Sequence, residues 1–543
     1  MFGRRSALKP TTGSAQMNEQ SGNELIVGLV GAIGVDMKVV SSATERAFET
    51  VGYKTYHIRL IELVSTLDKK WQHSPDMKTD KLYGARMDAG NEVRKRLNRG
   101  DALALLAMAS IRNQRKAENG NQDWPIKRCA YIIRSLKTPE EAESLRRVYG
   151  SNCIIIAAYA SKKDREKSLA EKIASSHFES MSDRFTPEAK QLIVRDEKEH
   201  GQSHGQDVRS TFWTADAFVN ASCGVDALEQ ETRRLVDLIF GHPFSTPTRD
   251  ECGLFQAHGA GLRSSSAGRQ VGAAIATPSG DIVAVGTNEV AQAFGGQYWP
   301  EDGNDHREHR RGTDANASMT RNIIADFLVR LKRKGWFTSD RAELDAEELL
   351  ARIESDAVLK AFSTEEATAE GLPSLAESAR VKHGIEFIRA VHAEMAALMS
   401  AARRGVPVAG CTLYSTTFPC HECAKHIVAA GISRVVFVEP YPKSRVADLY
   451  DDSITIDDAS DKTRVSFQAF VGIAPRKYVD MFTAPLRATS SGDWVDFEKV
   501  KRTRDPRIGG PIQSYVDQEK EMVDLLGRKL KGAEPPFLGG NLR

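Results

Sequence analysis

The sequence predicts a two-domain α/β protein, and three observations carry that reading. Short apolar runs alternate with amphipathic helical stretches from about residue 24 to 242, the pattern of a parallel sheet covered on both faces. Pro243–Asp250 (PFSTPTRD) is rich in Pro, Ser and Thr and reads as a linker. Beyond it, two β-rich runs around Pro278-Ser-Gly-Asp281 form a hairpin in outline, followed by helix, strand, helix and strand. At 543 residues the chain exceeds what one core covers.

In the first half, Leu25–Val30 is a buried strand that enters Gly28-Leu-Val-Gly31-Ala-Ile-Gly34, and Met37–Phe48 follows as a helix. Strand, glycine loop and helix in that order can cradle phosphate. Gly28, Gly31, Gly34 and Lys38 are therefore the candidate phosphate-loop residues, with a tight strand-to-helix turn as the plain alternative. Val35 and Asp36 stand where such a loop needs Lys and then Ser or Thr for phosphate and magnesium. Tyr53–Ile58 and Cys129–Ile133 read as further strands, the latter running into Arg134-Ser-Leu136. Then come the helix Pro139–Tyr149, the strand Cys153–Ala160, a charged helix from Lys162 to about Ser175, a strand within Ala215–Asn220 and the helix Asp226–Phe240. This outline resembles P-loop nucleotide kinases of the adenylate-kinase and dephospho-CoA-kinase kind, in which the third strand ends in an acidic residue. Here Arg134 takes that place, so residues 24–242 are expected to be catalytically degenerate and to sense a regulatory nucleotide, ATP or a deoxynucleotide, or to serve structure alone. His200 and His204 are spaced for a metal but sit among Gly, Gln and Ser, which favours a polar loop.

The bulk numbers exclude several classes. Lys and Arg total 75 against 73 Asp and Glu, a formal charge of +2, which gives no global pull toward nucleic acid or an anionic membrane. Seven cysteines in this length suit a reducing compartment and a metal site better than a disulfide framework. Residues 1–22 lack the apolar core of a secretory signal and read as a disordered leader. No run approaches the roughly 18 apolar residues of a membrane span, so a soluble cytoplasmic protein is expected.

The second half carries the chemistry. Glu251–Ala267 is expected to be a helix, Val271–Ala276 and Ile282–Thr287 the hairpin, Phe387–Arg404 a helix and Cys411–Thr417 a strand. His392-Ala-Glu394 then lies at or near the start of a helix, and Pro419-Cys420-His-Glu-Cys423 opens the next. Two thiolates in the first turn of a helix are favoured by its dipole, and a histidine from a neighbouring helix completes three tetrahedral zinc positions. The fourth is left for water, which an open zinc site acidifies. Glu394 is the candidate proton shuttle, with His392, Cys420 and Cys423 as the zinc ligands. A structural zinc site is the alternative, but it needs a fourth protein ligand, and Cys411 reads as strand packing. The spacing H-x-E…P-C-x-x-C is that of the zinc nucleobase deaminases.

Across about residues 250–480 the chain resembles the deoxycytidylate deaminase branch of the cytidine deaminase superfamily, most strongly in Phe418–Tyr441, with Gln270-Val-Gly-Ala-Ala-Ile as the opening strand. The resemblance implies a cytidine deaminase-like α/β/α domain and places Asn288 of Gly286-Thr-Asn288 at the sugar and base. Lys443, in the loop after a strand end, is the candidate phosphate contact, a solvated lysine being the alternative. About a hundred residues separate Asn288 from His392, including an insertion at about 301–380, read as a lid, a phosphate-binding segment or an oligomer interface. His306 and His309 within it read as a solvated polar loop.

The whole layout, with a deaminase domain to about residue 483 and a C-terminal extension over 484–543 that is helical at Ile512–Leu530, resembles the bacterial antiphage dCTP deaminases. That resemblance implies conversion of dCTP and dCMP to dUTP and dUMP, depletion of cytosine deoxynucleotides during phage infection, and restraint by a small inhibitory RNA. Free deoxycytidine nucleotides are the expected substrates, no membrane partner is expected, and the expected state is a homo-oligomer. Two rivals stay open. A polynucleotide deaminase acting on single-stranded DNA or RNA needs a basic groove and stacking aromatics, against which balanced charge and 7% aromatics weigh. A non-catalytic nucleotide-gated or RNA-binding regulator would have little need for Glu394.

Overall fold

β1, Glu24–Gly31, is buried along its whole length, which requires cover on both faces and neighbours on both edges. The computed structural model supplies them. It describes residues 24–72, 74, 76–199, 204–337, 343–345, 348–349, 387–439, 444–458, 460–483, 486–489, 491–507 and 512–532. The chain forms two units, one of residues 1–247 with 471–543 and one of Thr248–Phe470.

In the first unit, β1 is followed by the helix Met37–Thr50, β2 (Lys54–Arg59), β3 (Cys129–Leu136), β4 (Cys153–Tyr159) and β5 (Ala217–Asn220). The strands lie side by side as β5-β4-β1-β3-β2, all parallel. Helices alternate with them as the periodicity predicts, and the bounds agree to within a residue or two. The interval between β2 and β3 also holds the helices Thr79–Leu97 and Ala102–Glu118, which the sequence reading leaves undefined. One core face joins Val27, Val40, Phe48, Ile132, Ile154 and Leu235.

That sheet has a sixth, antiparallel strand, Gly472–Ile473, on the free edge of β5. The second domain, expected to run to residue 483, therefore ends at Phe470, and the chain returns to the first unit. The physical reason is plain at Asp216. This buried carboxylate meets Arg146 at 2.9 Å and Arg476 of the returning segment at 3.2 Å, and it accepts the Ile155 N–H at 2.7 Å. Ile473, Met481 and Phe497 complete the apolar core. The helix Ile512–Gly532 packs on the helices Ala102–Glu118 and Pro139–Tyr149, setting Glu519 against Arg115.

In the second unit, the helix Arg249–Gly261 is held by a capping box between Thr248 and Glu251 and precedes β6 (Gly272–Ala276) and β7 (Ile282–Thr287). β8 (Glu289–Val290) pairs with β9 (Ala390–Val391). Then come the helix Ala393–Arg403, β10 (Thr412–Thr417), the helix His421–Ala429, β11 (Arg434–Glu439), β12 (Ile454–Ile456) and β13 (Val465–Ala469). The sheet order is β12-β13-β11-β10-β6-β7, parallel from β12 to β10 and antiparallel from β10 to β7. Alternation along β10 explains the layers. Leu413 joins the core under Ala397, Ala424 and Ile427 of the two later helices, while Tyr414 faces Gly253 and reaches Asp250 with its hydroxyl. Both units are thus mixed α/β with mainly parallel sheets. Among the described residues no helix is long and apolar enough to cross a membrane.

Candidate metal centre

The ladder of β8 and β9 pairs Glu289 with Val391 and Val290 with Ala390, so the chain after Asn288 is tied to the residues just before His392. This closes the long interval that separates them in sequence. The helix expected from Phe387 starts only at Ala393, because Ala390 and Val391 are taken by the ladder. His392 is its N-cap, in extended conformation, and its carbonyl accepts the first helical bond from Ala396. Glu394 therefore sits in the first turn, where the helix dipole favours a carboxylate. Cys420 in turn caps the helix His421–Ala429, its sulfur accepting the Cys423 N–H at 3.4 Å.

These two helix starts bring three ligand atoms together. His392 Nδ1 lies 3.2 Å from Cys420 Sγ and 3.4 Å from Cys423 Sγ. Tetrahedral zinc with ordinary Zn–N and Zn–S lengths separates such atoms by about 3.5 Å. The donor set and its spacing fit zinc. Among the described residues this is the one group of three His, Cys or carboxylate ligands, and Cys411 packs in the core instead. His306 and His309 are exposed, His204 faces Asn98, and His200 lies outside the described residues.

Glu394 is only 4% exposed. Burial pushes its carboxyl up from the ordinary value, and the neighbouring Cys420 thiolate adds to the effect. Ser415 on β10 donates to Oε1 at 3.3 Å, and the carboxylate also meets the Cys423 thiol. Cys420 is drawn down by hydrogen bonds, first from Cys423 and also from His392, whereas Cys423 is driven up by its bond to Cys420 and by burial. The His392 ring is raised, chiefly by its hydrogen bond with Cys420. One thiolate, one thiol and a basic imidazole around a common centre are ready to exchange their protons for a dication.

Asn288 spends both ends of its amide on backbone. Oδ1 accepts the Val271 N–H and Nδ2 donates to the Arg269 carbonyl, each at 2.7 Å. It thereby fixes the segment that leads into β6. Lys443 lies outside the described residues; Ser444 beside it donates to the Pro419 carbonyl at 3.0 Å, next to Cys420.

The glycine loop of the first unit is satisfied internally. The Ile33 N–H is bound by buried Asp196 at 2.7 Å, and Asp36 accepts from the Lys38 and Val39 N–H groups. Carboxylates thus occupy donors that a phosphate cradle would offer. Gly28 lies within β1, where an added Cβ would press on Ile155 and Leu136 at 2.5 and 2.7 Å, and Gly31 is packed against Met37. Gly34 adopts φ +96° beside the Arg165 backbone, which a side chain would both strain and obstruct. Lys38 is exposed at the mouth of a cavity of about 330 Å³.

Residues 249–439 match the family model described as the cytidine and deoxycytidylate deaminase zinc-binding region. The chain is 44% identical over 55 residues to deoxycytidylate deaminase of enterobacteria phage T4, covering 10% of this chain and 28% of that protein. It is 36% identical over 88 residues to the Homo sapiens deoxycytidylate deaminase, covering 16% and 41%, and 33% identical over 102 residues to that of Pongo abelii, covering 19% and 49%. The chain thus spans less than half the length of the curated relatives it matches. Among solved structures, the apo dCMP deaminase of cyanophage S-TIM5 aligns at 15% identity with a TM-score of 0.21, covering 41% of this chain and 99% of that one.

Proposed function

We propose that the second unit, which carries a deaminase-family domain, binds zinc through His392, Cys420 and Cys423 and hydrolyses the exocyclic amine of cytosine in deoxycytidine nucleotides, dCTP and dCMP. The observation that carries this reading is a buried carboxylate, Glu394, set in the same helix turn as one ligand and in contact with another. Zinc held by His392, Cys420 and Cys423 would act as a Lewis acid and acidify a water to react at neutral pH. Glu394 takes one proton from the attacking water and gives it to the ring nitrogen, then takes the proton of the hydroxyl so formed on the ring carbon and gives it to the departing amine, so water and cytosine become uracil and ammonia. Ser415 holds Oε1 of the Glu394 carboxylate. Low surrounding solvent keeps the proton on this route.

Asn288, as the residue that shapes the entry to β6, and Lys443, toward a substrate phosphate, are the proposed substrate contacts. The accompanying role is depletion of cytosine deoxynucleotides in antiphage defence, with a small RNA as restraint, a homo-oligomer as the working state and a regulatory nucleotide in the first unit. The similarity of layout supports that role.

A panel of dCTP, dCMP, CTP, cytidine and single-stranded DNA, scored for uracil product and ammonia, tests the reading. Turnover is expected with dCTP and dCMP. Turnover confined to single-stranded DNA would replace the substrate class. Glu394→Gln is expected to keep one zinc per chain by metal analysis and to lose at least about a hundredfold in kcat; full activity in that variant would remove Glu394 from its role.

A further inference from the structure

The cavity at the C-terminal ends of β1 and β3 carries far more positive than negative charge. Seven basic side chains line it against two carboxylates, Asp36 and Asp196. Four of the seven have partners. Arg94 is paired with Glu141, Lys137 with Asp196, Lys172 with Asp36, and Arg59 with Glu62. Lys38, Arg86 and Arg134 have no ion-pair partner among the described residues, and Arg134 Nε is buried without any hydrogen bond. Burial holds Arg86 and Arg134 below the ordinary arginine range, and each is also repelled by Arg59. Half-buried guanidinium groups left in this state are costly unless an anion meets them.

The backbone aims them. β1 and β3 lose register between Leu29 and Val30, because Ser135 is skipped as a bulge and adopts φ +70°, rare for a residue other than glycine. Such bulges re-aim side chains, and here they turn Arg134 and Ser135 to the cavity wall. The lining also includes apolar side chains, among them Leu60, Tyr83, Met87 and Leu103. A volume of about 330 Å³ lies within the range of small-molecule sites, roughly 300–1,000 Å³.

We propose that this cavity binds a nucleoside triphosphate whose phosphates rest on Arg86, Arg134 and Lys38, on the arginine side of the cleft, with the nucleoside against Tyr83 and Met87. The phosphates rest on side chains because Asp196 already holds the Ile33 amide of the glycine loop and Asp36 the Lys38 and Val39 amides of the helix start. Planar guanidinium groups bind phosphate through paired hydrogen bonds, so two of them replace a cradle of backbone donors. The inference deepens the regulatory-nucleotide reading of the first unit, and binding is read separately from deamination.

Calorimetric titration of the full-length protein with ATP, GTP and UTP, none of which carries cytosine, and with inorganic tripolyphosphate tests it. At least one triphosphate is expected to bind about tenfold or more tighter than tripolyphosphate, and Arg134→Ala and Arg86→Ala are each expected to weaken it by about tenfold or more. Cys420→Ala is expected to leave that affinity unchanged. Hydrogen exchange of the unaltered protein gives a readout that needs no variant: the bound triphosphate is expected to protect peptides covering 59–62, 83–90 and 132–137. Failure of all three triphosphates to bind, equal affinity in both arginine variants, or protection confined to peptides covering 392–394 and 420–423 would overturn the site. Loss of ammonia release with binding intact would instead strike the deaminase reading alone.

Discussion

In the proposed reaction Glu394 acts through its carboxylate, and Ser415 is the β10 side chain that holds Oε1. Ser415→Ala removes the 3.3 Å hydrogen bond to Oε1 without touching the three ligands. It is expected to lower kcat by about tenfold to a hundredfold, the worth of one hydrogen bond to a charged group, ~1.5–3 kcal/mol, with KM and zinc content unchanged. Steady-state kinetics with metal analysis decides this, and a KM change of similar size would make Ser415 a binding residue instead. Cys420→Ser is expected to release zinc, whereas Cys411→Ala keeps it, because Cys411 belongs to the core. The candidate ligands and Glu394 stand out in the sequence because their spacing is local: two positions part His392 from Glu394 at one helix start, and one helical turn sets Cys420 by Cys423 at the other. Ser415 was not singled out, although the alternation of β10 puts it on the same face as Leu413. Only the sheet brings that face under Glu394. Asn288 shows the opposite case, since its position was plain from Gly286-Thr-Asn288 but the commitment of its amide to Arg269 and Val271 required the hairpin.

At the scale of elements, the loop 31–36 owes its shape to a carboxylate from the helix Thr186–Glu197. Asp196 is 1% exposed and bridges the Ile33 N–H and the Lys137 ammonium. Asp196→Ala leaves the Ile33 N–H without its partner and Lys137 with only the Gly31 carbonyl, and is expected to destabilise the first unit by up to about 3–5 kcal/mol, the usual result of breaking a buried ion pair from one side. Chemical denaturation followed by circular dichroism measures it, and a loss below about 1 kcal/mol would mean that water replaces the carboxylate. Strand and helix types in both units followed from periodicity. The glycine loop followed too, yet its resemblance to a phosphate cradle concealed the fact that its donors are filled by a residue more than 160 positions away. The last of the three helices between β2 and β3 escaped notice for a different reason. Helix 102–118 is buried nearly all round, so it lacks the single apolar stripe that marks a surface helix.

At the scale of the whole molecule, the first unit is closed by residues that follow the second. Arg115, fully buried, serves Glu24 and Glu519 at once. Glu24 also accepts from Ile126 N–H, Tyr131 and Tyr515, while Glu519 Oε1 has no hydrogen-bond partner among the described residues. One guanidinium does not neutralise both carboxylates, and Asp123 competes for it. Burial therefore pushes the Glu519 carboxyl up to about 8. Between its ordinary 4.5 and about 8 the folded chain keeps a proton that the unfolded chain has released, so raising pH across this window lowers stability. Glu519→Gln is expected to flatten that slope in denaturation curves taken from pH 5 to about 8.5; an unchanged slope would assign it to other groups. The alternation of elements revealed two domains but not that one interrupts the other, because a two-residue strand at Gly472 carries almost no periodic signal.

That interruption has a consequence during synthesis. A ribosome delivers all of Thr248–Phe470 before Gly472–Ile473 and Glu519 emerge, so the earlier sheet must wait, with β5 bare along one edge and Arg115 short of a carboxylate, while every residue of the intervening module is already in hand. Newly made chains therefore pass through a stage in which the later-encoded module is complete in sequence and the earlier-encoded one is unfinished.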